Sequence, residues 1–225
     1  FAYHLVALNP RTLKSVPEMD RVGWWPPLYP AAIALAVGDG GDDPDRLLAA
    51  ATAVNLAGQI IAITGVGVLV GLATGSAAAG FLGCLMYALC APALWEAPRV
   101  VSEHLFMPLA VQALTLQFLA ARREGWGVSA AAGLLWGLAC LTRHVGIVIM
   151  VCGATATCLA LSHVPLRRRF KATLPTVLIG GLTWAFWAAR NYAIEGRLIG
   201  GHYAEGGHDL GTQIVSVLMG YGGGL

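Results

Sequence analysis

Between His104 and Arg122 lie seventeen residues, Leu105–Ala121, without a formal charge. As a helix rising about 1.5 Å per residue they reach about 25 Å, close to the ~30 Å hydrocarbon core of a bilayer. Ser102 is a good N-cap, and Glu103 in the first turn meets the positive end of the helix dipole. Arg122-Arg123 at the other mouth suits the cytoplasmic side, because short cytoplasmic loops are enriched in Lys and Arg. Glu103 then faces outward at the membrane surface, and this one span sets the direction of all the others.

The rest of the chain agrees with a membrane. Of its 225 residues 57% are hydrophobic and 12% charged, about half the ~25% charge of a soluble domain. Mean hydropathy is +0.67. The expected fold is all-α, a polytopic transmembrane helix bundle in a single domain, 1–225, with an external loop carrying interfacial helices. A net charge of +2 gives no reason to expect nucleic acid as a partner. Cys84, Cys90, Cys140, Cys152 and Cys158 sit in apolar runs without a C-x-x-C pair, which reads as small apolar packing. The chain opens on Phe1 with no visible signal peptide and is expected to be an excerpt, lacking an N-terminal anchor and the segments beyond its last span.

Taken in order, residues 1–46 read as an external loop and an interfacial or re-entrant helix. Trp24-Trp25 favours the headgroup region. Leu28–Val37, ten residues started by prolines, is too short to span, and residues 38–46 read as a water-exposed turn. Spans are expected at 47–70, 77–91, 104–121, 127–141, 145–161 and 174–189. An external loop comes next at 190–209, and 210–225 begins the next segment. Thr52, Asn55 and Gln59 recur at helical spacing and are expected to face the bundle interior, mainly for interhelical hydrogen bonds. Gly133-x-x-x-Gly137 permits close helix approach. With this topology Glu124 alone of twelve acidic residues lies inside, and six of fourteen basic residues cluster in two inner loops.

The unusual polar groups gather on the outer side: Glu18 and Asp20, Glu103 and His104, Arg143 and His144, Arg190 and Asn191. Ionisable residues at membrane depth are costly and mark function or pairing. Arginine grips phosphate with a fork that stays charged in a poor dielectric, while a carboxylate can deprotonate a hydroxyl or hold a divalent cation. Carboxylates beside arginines at a lipid–water boundary therefore suit a lipid-linked phosphate. Glu103, Glu18 and Asp20 are the candidate catalytic carboxylates. Glu103 and His104 are the candidate ligands for a divalent metal ion. Each has a plain structural alternative: Glu103 a helix cap, Arg143 a snorkelling side chain, Arg190 an interface anchor, Glu18 and Asp20 solvated loop residues, His104 and His144 boundary residues. The Asp39–Asp45 run lacks EF-hand spacing and reads as a solvated turn.

Four stretches carry a resemblance. Pro26-Pro27-Leu28-Tyr29-Pro30 resembles the PPLYP segment that ends the first external loop of GT-C membrane glycosyltransferases. Ser102-Glu103-His104-Leu105-Phe106 is similar to their S/T-E-x-L-F helix start, and Gly137–Arg143 (GLACLTR) to their GLA-x-LTR stretch. Trp187–Tyr192 (WAARNY), with Gly196-Arg197 shortly after it, resembles W-x-x-RNY with a following G-R. The relatives so implied are protein mannosyltransferases, aminoarabinose transferases and related bacterial enzymes. The resemblance implies a polyprenyl-phosphate-linked sugar donor, transfer outside the cytoplasm, and a lipid, glycan or protein acceptor. It also implies a multi-pass protein of the plasma (inner) membrane whose active site faces the extracytoplasmic side.

By the same resemblance Glu103 matches an acidic position at a helix mouth, and Arg143 a basic position that meets the lipid phosphate. Arg190, Asn191, Tyr29 and Tyr3 join Arg143 as donor-binding candidates. The family's leading catalytic acid, in a D-x-x-x-Y pattern, would fall just before Phe1 with Tyr3-His4 trailing it, so this stretch alone is expected to be inactive. The expected activity is inverting transfer of a sugar to an acceptor hydroxyl. The alternatives are a transporter or flippase for a lipid-linked or small polar substrate, and a structural membrane subunit.

Overall fold

The computed structural model describes residues 26–38, 43–90, 101–123, 125–161, 164–195 and 198. They form seven helices: α1 (Leu28–Val37), α2 (Pro44–Thr74), α3 (Ala77–Ala88), α4 (Glu103–Arg123), α5 (Trp126–Cys140), α6 (Val145–Ala160) and α7 (Leu166–Glu195). Three stretches are long and apolar enough to cross a membrane: Pro44–Thr74, Glu103–Arg122 and Leu166–Ala193. The chain is a helical, multi-pass membrane protein by this measure. The helices at the other expected spans are shorter, at 12 residues for α3, 15 for α5 and 16 for α6, or about 18 to 24 Å.

α4 is the central element. Half of its span is buried inside the protein, against 22% for α2, and it packs on α2, α5, α6 and α7. Phe106, Ala110 and Ala113 of α4 meet Trp136 and Ala139 of α5 and Met150 of α6 in the main core. Large apolar side chains such as Leu56, Ile60, Phe81, Met86, Leu182 and Phe186 point outward, as the lipid-facing surface of a bundle requires.

Small residues decide which faces meet. On α2 the buried positions are Ala50, Ala51, Asn55, Gly58, Ala62, Gly65 and Gly67, and Ala51, Asn55, Gly58, Ala62 and Gly65 among them form a seam with heptad-like spacing. Thr52 lies beside that seam, not on it: it is exposed and its hydroxyl donates back to the Leu48 carbonyl. The expectation that Thr52 faces inward is thus corrected, because one residue along a helix turns the side chain by about 100°. Asn55 is buried and Gln59 partly so, and the Asn55 bond described below is interhelical, as expected.

The closest approach in the α2–α4 pair involves a proline. Pro108 lies inside α4 and cannot donate to the carbonyl four residues back, that of His104. That carbonyl stands where a Cβ on Gly58 would be, so glycine is the residue that lets the two backbones meet. A similar seam joins α5 and α7. A Cβ on Gly133 would come within 2.8 Å of the Thr176 carbonyl oxygen and 2.9 Å of that of Pro175, and one on Gly137 within 2.6 Å of Thr183 Cβ. The Ser129 hydroxyl donates to the Ala172 carbonyl at 2.8 Å, and the Thr176 hydroxyl to the Ser129 carbonyl at 3.0 Å. The G-x-x-x-G spacing is therefore used in packing.

Helix ends follow local chemistry. Asp43 caps α2 by accepting from the Asp45 N–H, with Pro44 in the first turn. Gly75, at φ 69°, closes α2 in the left-handed region, and Ser76 caps α3 by accepting from Ala79 N–H. The turn between α2 and α3 thus narrows to residues 75 and 76, shorter than the 71–76 gap between the expected spans. α7 is longer at both ends than the expected span 174–189. Leu166–Lys171 holds three arginines, a lysine and a leucine, all good helix formers, and their charge ends an apolar run without ending a helix. Arg190 and Asn191 are likewise helical and not part of a loop.

Gly58→Ala should destabilise the detergent-solubilised protein by about 1–3 kcal/mol through overpacking, read as a lower thermal midpoint. Gly127→Ala, where a Cβ meets nothing within 4 Å, should leave the midpoint unchanged or slightly raised.

Candidate functional site

The turn after α5 is the hub of the end of the bundle that carries Glu103 and Arg143. Thr142 is buried and its hydroxyl donates to the Ala139 carbonyl at 2.6 Å. The Arg143 N–H also reaches the Ala139 carbonyl, at 3.0 Å, so the backbone curls tightly and presents the next side chains sideways. The Leu141 carbonyl, left over at a helix end, accepts from the Leu28 N–H at 2.9 Å. One unsatisfied helix-start donor of α1 thereby meets one unsatisfied helix-end acceptor of α5. Prolines at 26 and 27 deliver the chain to this contact.

Tyr29 anchors α1 from its other side. It is 1% exposed, and its hydroxyl donates to Asn55 Oδ1 of α2 at 2.7 Å. Burial pushes this hydroxyl up to about 12, with the Asn55 bond opposing, so it stays a protonated donor at neutral pH. Tyr29 and Ile33 pack with Ala50 and Ala51 of α2, and Leu105 of α4 closes the cluster.

Across the hub, Arg143 Nη1 forms an ion pair with Glu103 Oε1, from the first turn of α4. The side chains are 38% and 45% exposed, so the pair opens to the surface and is screened; its net contribution to stability is at most about 1 kcal/mol. His144 packs its ring on Trp187 of α7, centroids 5.1 Å apart. The imidazole is partly covered overall, but both of its nitrogens are shut off from solvent. Burial lowers its pKa to about 4, so it is neutral at pH 7. One turn beyond Trp187, Arg190 is exposed and donates to Asn191 Oδ1 at 3.0 Å, while Asn191 is fully buried.

The structure thus brings Glu103 and Arg143 together and joins Tyr29 to the same end through Leu28–Leu141. Arg190 and Asn191 follow on α7 through Trp187 and His144. Glu18, Asp20 and Tyr3 lie outside the described residues. All four stretches of the glycosyltransferase resemblance meet around residues 141–144, linked in turn by a backbone hydrogen bond, an ion pair and a ring contact.

The metal pair expected from the sequence fits poorly. Glu103 and His104 are adjacent on a helix, so their side chains diverge by about 100°. The Glu103 carboxylate already meets a guanidinium, and His104 is 4% exposed. Among the described residues no three His, Cys, Asp or Glu side chains gather.

Sequence reasoning did not single out Pro108, Gly58 or the buried polar chain beneath the site. Trp136 Nε1 donates to Gln117 Oε1 at 3.1 Å, and Gln117 Nε2 donates to Thr157 Oγ1 at 3.0 Å. Gln117 interrupts the apolar run of α4, which was the available signal.

A double-mutant cycle of Tyr29→Phe and Asn55→Ala should return a coupling of about 1 kcal/mol in thermal or denaturant unfolding. The Glu103→Gln and Arg143→Gln cycle should return less, and should shrink further in high salt. No protein-family model, no curated protein and no solved structure matches this chain.

Proposed function

We propose that the outer end of the bundle is part of the active site of a GT-C type glycosyltransferase. It would move a sugar from a polyprenyl-phosphate donor to an acceptor hydroxyl. The observation that carries this is the convergence of four separated stretches on the 141–144 turn, with Glu103 and Arg143 paired at the surface.

The chemistry needs no redox partner and no nucleotide. The acceptor O–H gives its proton to a carboxylate base, the role that the resemblance gives to an acid expected just before Phe1, with Glu18 and Asp20 as the candidates within this chain. Its oxygen attacks the anomeric carbon as the bond from that carbon to the phosphate oxygen breaks. The lipid phosphate leaves with the electron pair, and the anomeric centre inverts. Arg143 stabilises the charge growing on the phosphate; Arg190 is its nearest counterpart in role. Glu103 holds the guanidinium in place before the donor arrives and orients the acceptor hydroxyl. Such preorganised charge is worth most where water is excluded. No step is routed through a metal.

A transport path would call for polar groups free to meet a substrate in mid-bundle. Gln117, Trp136 and Thr157 are hydrogen-bonded to one another instead, which favours the transferase over the transporter.

In the intact protein, Arg143→Ala should lower transfer from a polyprenyl-phosphate sugar by about 10²–10³-fold. Unchanged transfer would remove the phosphate role. The charge swap Glu103→Arg with Arg143→Glu should regain thermal stability but not transfer; recovery of both would make the pair purely structural. An uptake assay in vesicles with the same variants separates transport from transfer.

A further inference from the structure

At the other end of the bundle, two clefts open on either side of Arg122. One, a shallow and largely open groove of about 420 Å³, lies against Val68, Leu72 and Ala77 at the α2–α3 turn. The second, about 400 Å³, runs between α4, α6 and the start of α7, walled by Phe118, Leu161 and Val164, with Arg122 and Arg168 both on its lining. Both are far from the Glu103–Arg143 pair, at the end that carries the two basic loops. There six basic residues stand against one acidic residue, Glu124.

Arg122 is positioned for a ligand. Its guanidinium lies 4.4 Å from the Phe118 ring centroid, a contact that restrains its plane, and the residue is exposed. Among the described residues no carboxylate pairs with it. Two guanidinium groups at the mouth of apolar clefts, at the cytoplasmic boundary, match a phosphodiester with hydrocarbon attached.

We propose that this end binds an anionic glycerophospholipid of the inner leaflet, its phosphate on Arg122 and Arg168 and its acyl chains in the two clefts. The site is separate from the outer one and depends on the membrane orientation, not on the transfer reaction. Its use would be to hold the α2–α3 turn against α4 and α7 at their inner ends.

The test is native mass spectrometry of the full-length protein in nonionic detergent, offered phosphatidylglycerol or phosphatidylcholine with identical chains. Phosphatidylglycerol should be retained preferentially. Arg122→Gln or Arg168→Gln should each weaken retention about fivefold, and both together roughly 25-fold. Arg122→Lys with Arg168→Lys should keep most of it, and Arg167→Gln, exposed and off the cleft wall, should change little. Glycerol 3-phosphate, a headgroup without chains, should not displace the lipid. Equal retention of the two lipids overturns the proposal without any variant being needed. So does retention unaffected by the double Gln substitution, or displacement by glycerol 3-phosphate, which would make the cleft a site for a soluble anion.

Discussion

Helices in hydrocarbon gain little by hiding apolar surface from one another, so this bundle depends on how closely its backbones approach. Three seams supply that approach. Gly58 receives the His104 carbonyl, Gly133 and Gly137 lie against α7, and Gly67 and Gly71 face Gly80 across the α2–α3 hairpin. Contact at these points brings in the dispersion and Cα–H···O terms that each contribute only fractions of a kcal/mol. They also set the register of the helix ends. With α4 pinned by Gly58 next to its first turn, Glu103 comes to rest at the level of the α5 terminus, within reach of Arg143.

The end that carries Glu103 and Arg143 is then assembled from what helices leave unsatisfied. A free carbonyl at Leu141 takes a free N–H at Leu28, and a buried tyrosine hydroxyl takes a buried amide oxygen. These bonds join α1, which is too short to span, to α2 and to the end of α5. The Glu103–Arg143 pair differs in kind. Tyr29 and Asn55 are buried and bonded, which suits a structural role. The ion pair is more than a third exposed, a poor means of stabilisation and a good position for meeting a charged ligand.

Much of the element pattern was legible along the chain. Leu28–Val37 reads as a short proline-started helix, and the structure has a helix of those bounds. The span from 104 to 121 and the turn at 142–144 also lie where charge and apolar runs place them. Where the helix bounds differ from the expected spans the cause is shared: hydropathy marks where a chain leaves hydrocarbon, while helices end on backbone grounds. α7 therefore continues through Arg167–Lys171 and past Arg190, and α2 continues to Thr74. Thr52 misleads because three polar residues near helical spacing define a broad stripe, and the glycine and alanine seam lies on only part of it.

By itself the sequence determined that this chain is helical with stretches able to cross a membrane, which end carries the basic loops, and that Glu103, Arg143 and Arg190 fall at the same end. Those are properties of local composition and of the solvent the chain must enter. Only the tertiary structure decided that Arg143 pairs with Glu103 and that His144 stacks on Trp187. It also decided that Tyr29 is bonded to Asn55 and that Arg122 stands between two clefts. Pairings of this kind span tens of residues along the chain. They depend on helix register, which is set by backbone contacts at a few glycines and one proline whose partners no local pattern names.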